Sequence, residues 1–280
     1  LTACTSVPPR PSVVPSHMTA DYLTAVLRAR AQSVQSLKGL FQARIKGPGL
    51  LIQQTIQGAL FFQRPDSFRI QGFTPFGTEI FELVTTERTY RLRIPSLGRV
   101  LEGRLEDLGR VGTLGPPFQM SLLAMSGLIG LAPVEAGHTT RLQEVDQRWC
   151  LEVLPEEASR ADAVQAGARR LCFDPESLQV VEEQRFGEDH SLIAKAEFQD
   201  YRRLGGDVAP IPAVEGTDMV YEPIQKPFKI SVQDGLGKTS VSITLQSLIL
   251  NPDLGPKELG LKARGAVREG SLSQSVGSQP

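Results

Sequence analysis

Three cysteines, three histidines and one lysine-bearing glycine turn have the most scope for chemistry in this chain. Cys150 and Cys172 fall in two short apolar runs, 148–154 and 169–174, separated by a polar, alanine-rich stretch. A hairpin centred on Ala161 would set Cys150 opposite Cys172, Trp149 opposite Phe173 and Leu151 opposite Leu171. That register gathers the cysteines, an arginine and an acid on one face and the large apolar groups on the other, as a half-buried sheet requires. It predicts a cross-strand disulfide or at least adjacent thiols; two unbonded thiols packed as small hydrophobes are the alternative. His17, His138 and His190 have no ligand spacing around them, which argues against a metal site. Gly235-Leu236-Gly237-Lys238-Thr239 imitates the end of a phosphate-binding loop. Its first glycine would fall at Val232 and no helical pattern follows, so it reads as a hairpin turn. No nucleophile elbow occurs, and acids are scattered along polar faces. The reading is of a chain that is not an enzyme and takes no cofactor.

The remaining thiol has different surroundings. Leu1-Thr2-Ala3-Cys4 resembles a bacterial lipobox, the end of a lipoprotein signal peptide: small residues suit a narrow protease pocket, and a thiol can take a thioether lipid. Residues 5–16 follow, rich in Pro and Ser and without hydrophobic pattern, an extended tether of roughly 3 Å per residue. Cys4 is therefore the expected lipid anchor, on a flexible segment 1–18 of a trimmed chain. Export would favour the disulfide. The 280 residues carry 30 Lys and Arg against 31 Asp and Glu, well mixed, which excludes the basic footprint of a nucleic-acid partner. No apolar run approaches the length of a membrane span.

The elements that must position these groups are mostly strands. Over 58–84 apolar residues recur at every second position: Leu60 and Phe62, Phe68 and Ile70, Phe81 and Leu83. The runs are cut by Pro65-Asp66-Ser67 and by Thr74-Pro75-Phe76-Gly77, so they read as neighbouring antiparallel strands. The second turn is apolar where connections usually meet water, with Phe73 and Phe76 bracketing Pro75. Before this stretch, Tyr22 to Val34 has helical spacing with Thr19 or Ser16 as cap, and strands are expected at 37–45 and 50–63. After it come 89–94 and 99–103. Residues 118–131 are apolar nearly all round and include Met120 and Met125, which suits a buried helix or a lid over an apolar cavity. Strands resume with the cysteine hairpin, 178–186, 191–201, 226–233 and 239–250. Residues 205–225, rich in Gly, Pro and acids, read as a long loop with one edge strand at most. The pattern decays after Asn251-Pro252, and a disordered tail is assigned to 255–280.

This order of features resembles the LolA/LolB-like lipoprotein-carrier superfamily over about 19–254. The resemblance is carried by the opening helix running into Ser36-Leu37-Lys38-Gly39, then by 58–69 with its Arg64-Pro65-Asp66-Ser67-Phe68-Arg69. It continues through Pro75-Phe76-Gly77, Leu171-Cys172-Phe173-Asp174, Phe198-Gln199-Asp200-Tyr201 and Leu250-Asn251-Pro252. It implies an α+β, mostly β domain: a strongly curved antiparallel sheet, an incomplete barrel of about eleven strands, with helices covering a concave apolar face that holds acyl chains. On that face the alternation places Ile52, Ile56, Leu60, Phe62, Phe68, Ile70, Phe81 and Leu83, with Trp149, Leu151, Leu171 and Phe173 across the hairpin and Leu122, Leu123, Met125 and Leu128 as the lid. Each of these is as readily an ordinary core residue. The implied partners are an acylated lipoprotein or lipid cargo, the membrane through the N-terminal lipid, and a soluble periplasmic carrier. Cys4 and a membrane-contact turn at Phe73, Pro75 and Phe76 point to the anchored, LolB-like branch at the outer membrane. The alternative is a lipid-sensing or partner-binding envelope module with the same fold and no transport role.

Overall fold

The computed structural model describes residues 18–47, 54–86, 88–105, 107, 115–129, 138–154, 168–187, 189–212 and 219–261. Helix α1 (Ala20–Gln32) starts where Thr19 Oγ1 accepts from the Tyr22 N–H at 3.2 Å, and it buries Leu23, Val26, Leu27 and Ala31. Arg64 closes its C-terminal end: its Nη2 donates to Ala31 O (2.6 Å) in the last turn and its Nε to Val34 O (2.7 Å) just beyond it. A guanidinium at a helix C-terminus satisfies orphan acceptors and opposes the negative end of the dipole. Asn251 closes the same corner, accepting from the Gln35 N–H and donating to Ser33 O. Three of the segments that carry the family resemblance thus meet at one joint.

Strands β1 (Ser36–Lys46), β2 (Gln54–Gln63), β3 (Ser67–Phe73), β4 (Glu79–Thr86), β5 (Thr89–Ile94) and β6 (Arg99–Arg104) form a meander. Helix α2 (Gly115–Ile129) follows, with Pro116 and Pro117 in its first turn, where their missing N–H groups cost nothing. Then come β7 (Thr139–Val145), β8 (Arg148–Leu154), β9 (Arg169–Phe173), β10 (Val180–Phe186), β11 (Leu192–Pro212), β12 (Met219–Asp234) and β13 (Ser240–Leu250). Among the described residues these form one antiparallel sheet in the order β6-β5-β4-β3-β2-β1-β13-β12-β11-β10-β9-β8-β7. The chain therefore runs from the middle of the sheet to one edge, crosses by way of α2 to the other, and returns to pair β13 with β1. The sheet is not closed.

Four expectations change. The strands number thirteen among the described residues, not about eleven. One unforeseen strand is β7, an edge strand that is mostly exposed or half-buried and so lacks the alternation of a buried face. Residues 205–225 are not a long loop: 205–212 and 219–225 extend β11 and β12 into a two-stranded arm, with Ile211 opposite Val220 and Pro210 opposite Tyr221. Proline is tolerated because this part pairs only within the arm, leaving outward N–H positions without a ladder to join. Residues 255–261, assigned to the tail, fold back on the convex side, where Leu254 and Leu259 pack on Phe61. The segments 1–17 and 262–280 lie outside the described residues.

Candidate functional site

The inner face of the sheet is one continuous apolar surface. Ile56, Leu60, Phe62, Phe68, Ile70, Phe81 and Leu83 from β2 to β4 join Leu151, Leu171 and Phe173 from β8 and β9 in a single buried cluster, with Trp149 at its margin. Leu123, Met125 and Leu128 of α2 belong to the same cluster. The sheet residues anticipated from alternation thus share one side, and the lid residues meet them there. Helix α2 lies on β11, β12 and β13, and four cavities found among the described residues are lined by none of those named above. Ile52 lies outside the described residues, as does the side chain of Leu122.

Polar groups on this face are few. Glu183 of β10 is fully buried, bonded to Arg185 Nε (3.1 Å), and accepts from Ser126 Oγ of α2 at 3.3 Å. Lys226 of β12 shares a face with Ile224, Phe228, Ile230 and Val232 and is 5 % exposed. Burial, reinforced by Arg30 and Arg64, pushes its ammonium down to about 7. Neither charge was anticipated, although Lys226 interrupts an otherwise apolar alternation, which is a signal in itself. Where α2 comes nearest the sheet, Gly127 faces the Phe198 ring; a Cβ there would stand 2.2 Å from it, so only glycine permits the approach.

The β3–β4 turn is tightly closed. Thr74 N–H donates to Thr78 O (2.8 Å), Gly77 N–H donates to Thr74 O (2.9 Å), and Gly77 takes φ +85°, which suits glycine. The result holds Phe76 out at 95 % exposure beside exposed Pro75, with Phe73 half-buried at the strand end. A large ring presented to water by a rigid hairpin is an unusual use of apolar surface. At the other side of the sheet Cys150 and Cys172 are disulfide-bonded, in the register Trp149 opposite Phe173 and Leu151 opposite Leu171. Glu152 and Arg170 pair on the cysteine face at 2.7 Å, as the hairpin argument required. Cys4 lies outside the described residues.

No family model and no curated protein sequence matches this chain. Solved structures do. A LolA superfamily protein from Nitrosomonas europaea aligns at TM-score 0.53 and 12 % identity, over 86 % of this chain and 97 % of that one. A putative outer membrane lipoprotein-sorting protein domain from Vibrio parahaemolyticus aligns at TM-score 0.54 and 10 % identity, over 86 % and 97 %. The chain has a LolA/LolB-like fold. A DUF1329 family protein from Desulfovibrio piger shares it at TM-score 0.59 and 12 % identity, over 86 % and 96 %. Within a LolA/LolB-like fold the segment 64–69 acts structurally here: Arg64 caps α1, and Arg69 binds Glu82 at 2.6 Å. Burial favours the neutral acid, yet the Arg69 and Arg93 guanidiniums outweigh it and hold the Glu82 carboxyl below its ordinary value.

Proposed function

We propose that this chain is a lipid-anchored periplasmic lipoprotein that binds acyl chains on the concave face of its sheet and hands lipoproteins or lipids to the outer membrane. It acts by binding, without catalysis. The observation that carries the reading is the inner face itself: a continuous apolar surface covered by α2 through contacts that are almost wholly non-directional. Hydrocarbon satisfies such a surface as well as leucine does, since each buried methylene contributes roughly 0.8 kcal/mol whatever molecule owns it. Leu123, Met125 and Leu128 occupy the acyl site, and cargo displaces them. Cys4 supplies the tether, and Phe76, Pro75 and Phe73 supply a second contact with the bilayer, where an aromatic ring partitions between headgroups and acyl chains. A soluble periplasmic carrier is the donor.

One observation favours a second reading. The β11–β12 arm exposes Val208, Met219, Val220 and Tyr221, a patch suited to a protein partner. Native mass spectrometry on the full chain, extracted gently from its membrane, separates the two. Co-purifying lipid is the expected result; a bare chain accompanied by a stoichiometric protein partner would replace the carrier with a partner-binding envelope module.

A further inference from the structure

Beside α2, between α1, β11 and β12, lies a cavity of about 50 Å³ with a character unlike the rest of the interior. Lys226 and Arg30 line it together with Glu222, while Leu27, Val180 and Phe198 form its apolar walls. Arg30 is already fixed: its guanidinium donates to the carbonyls of Leu178 and Ser177 and meets Glu222 Oε2 at 2.9 Å. Tyr201 Oη is committed to Val180 O. Lys226 differs. Among the described residues its ammonium has no hydrogen-bond or ion-pair partner, although the residue is almost wholly enclosed. A buried charge is normally paired, and one left unpaired in a cleft marks a place where a ligand completes the set.

We infer that this cavity is an anion site, in which a carboxylate or phosphate group binds against the Lys226 ammonium beside the Arg30 guanidinium. Two cations face the space against one acid, and that acid is engaged by Arg30. The apolar walls thin out competing water, which strengthens the attraction. The space suffices for the charged group. A single water needs about 10–15 Å³ of space for its centre, so 50 Å³ admits a carboxylate or phosphate group beside Lys226. Such a group is either a free anion or the head of an amphiphile whose tail lies outside. The inference goes beyond the acyl-chain reading and stands if that reading fails, because acetate and inorganic phosphate carry no chain.

The charged and titratable groups that line the cavity with Lys226 or act on it are Arg30 from α1, Arg64 just past β2, Tyr201 from β11 and Glu222 from β12; among the described residues α2 lines it with Gly127. Burial, Arg30 and Arg64 bring the empty-site lysine to about 7. An anion favours the protonated lysine, so binding takes up a proton and weakens as the pH rises past that value.

The test is calorimetric titration of the full chain at about pH 6.5, below the Lys226 transition, with acetate, inorganic phosphate, octanoate, octyl phosphate and the neutral octyl glucoside. Octanoate and octyl phosphate are expected to bind at least about tenfold more tightly than octyl glucoside, the scale of one charge-assisted hydrogen bond. Lys226→Met removes an unpaired buried charge and so should fold, and it brings anionic and neutral probes level. Octanoate, whose own charge is constant in this range, loses affinity several-fold between about pH 7 and pH 8 in the parent chain and not in the variant. Binding of acetate and phosphate supports a free anion as ligand; binding of the tailed anions alone supports an amphiphile head. Octyl glucoside binding as tightly as octyl phosphate, Lys226→Met binding like the parent, or no anionic probe binding would each overturn the site.

Discussion

The two sides of the sheet are covered by different physics. On the inside, Leu60, Ile70, Leu83, Phe173 and Ile230 share one cluster with Leu123, Met125 and Leu128 of α2, and Ser126–Glu183 is a rare polar link between helix and sheet. On the outside, residues 252–261 are tied down atom by atom. Arg69 Nη1 donates to the carbonyls of Lys257 and Glu258, Arg91 Nη2 donates to Gly260 O, and Lys38 Nζ meets Glu258 at 2.8 Å. Leu254 and Leu259 add a small apolar contact on Phe61. Directional bonds specify one partner and one register, whereas apolar contact specifies only shape and dryness. The outer covering is thus built to stay, and the inner covering is of a kind that another hydrocarbon can replace.

The largest effect should come from breaking the outer set. Arg69→Leu strands Glu82, most of whose side chain is buried, with Arg93 alone and removes both carbonyl bonds. It is expected to cost about 3–5 kcal/mol in urea unfolding, the scale of a broken buried ion pair. A loss below about 1 kcal/mol would reduce this network to an ordinary surface feature. Leu128→Ala inside the cluster should cost about 2–4 kcal/mol. Here the comparison sharpens: a saturating short alkane should recover part of the Leu128→Ala loss and none of the Arg69→Leu loss. Equal recovery in both, or in neither, would remove the distinction drawn between the two faces.

The third effect is a dependence on pH. Unfolded, Lys226 keeps its proton to about pH 10.4; folded, it keeps it to about 7. Between those values the unfolded chain binds more protons, so this residue makes stability rise with pH, by at most about 1.4 kcal/mol per pH unit. The stability of Lys226→Met relative to the parent should therefore be greatest at and below pH 7 and shrink towards pH 10; a constant gap would mean that the lysine is not desolvated. Glu82 acts in the same direction at acid pH, through a stabilisation gained where Lys226 has a penalty relieved. Its lowered value gives stability that is present above the unfolded carboxylate range and lost as the pH falls through the folded value. Phe76→Glu, at the exposed turn, should change stability least, by under about 0.5 kcal/mol. It should still weaken binding to phospholipid vesicles, and unchanged vesicle binding would take the turn out of the membrane contact.

Where a strand buries one face and turns on strong breakers, alternation is enough to read it. The β3–β4 hairpin, the cysteine register and the capped first helix are cases of this kind. Signals fade where that asymmetry is missing. β7 is an edge strand with little to bury, and the β11–β12 arm contains prolines because its outer edges need no donors. Residues 255–261 hold on through backbone carbonyls, which every residue type has, so composition is silent about them. The inner face was legible as a face, but not the strands on which α2 lies, since the all-round apolar character of 118–131 marks no one side of the helix. Lys226 and Glu183 were hidden in strands expected to be apolar on their inner side.

The order of strands has one more consequence. Among the described residues no ladder joins β6 to β7, while the first and last strands are zipped together midway between them. Parting those two edges would break no rung between the described strands. The spread between those edges is then set by the elasticity of a twisted ribbon, a soft and graded quantity.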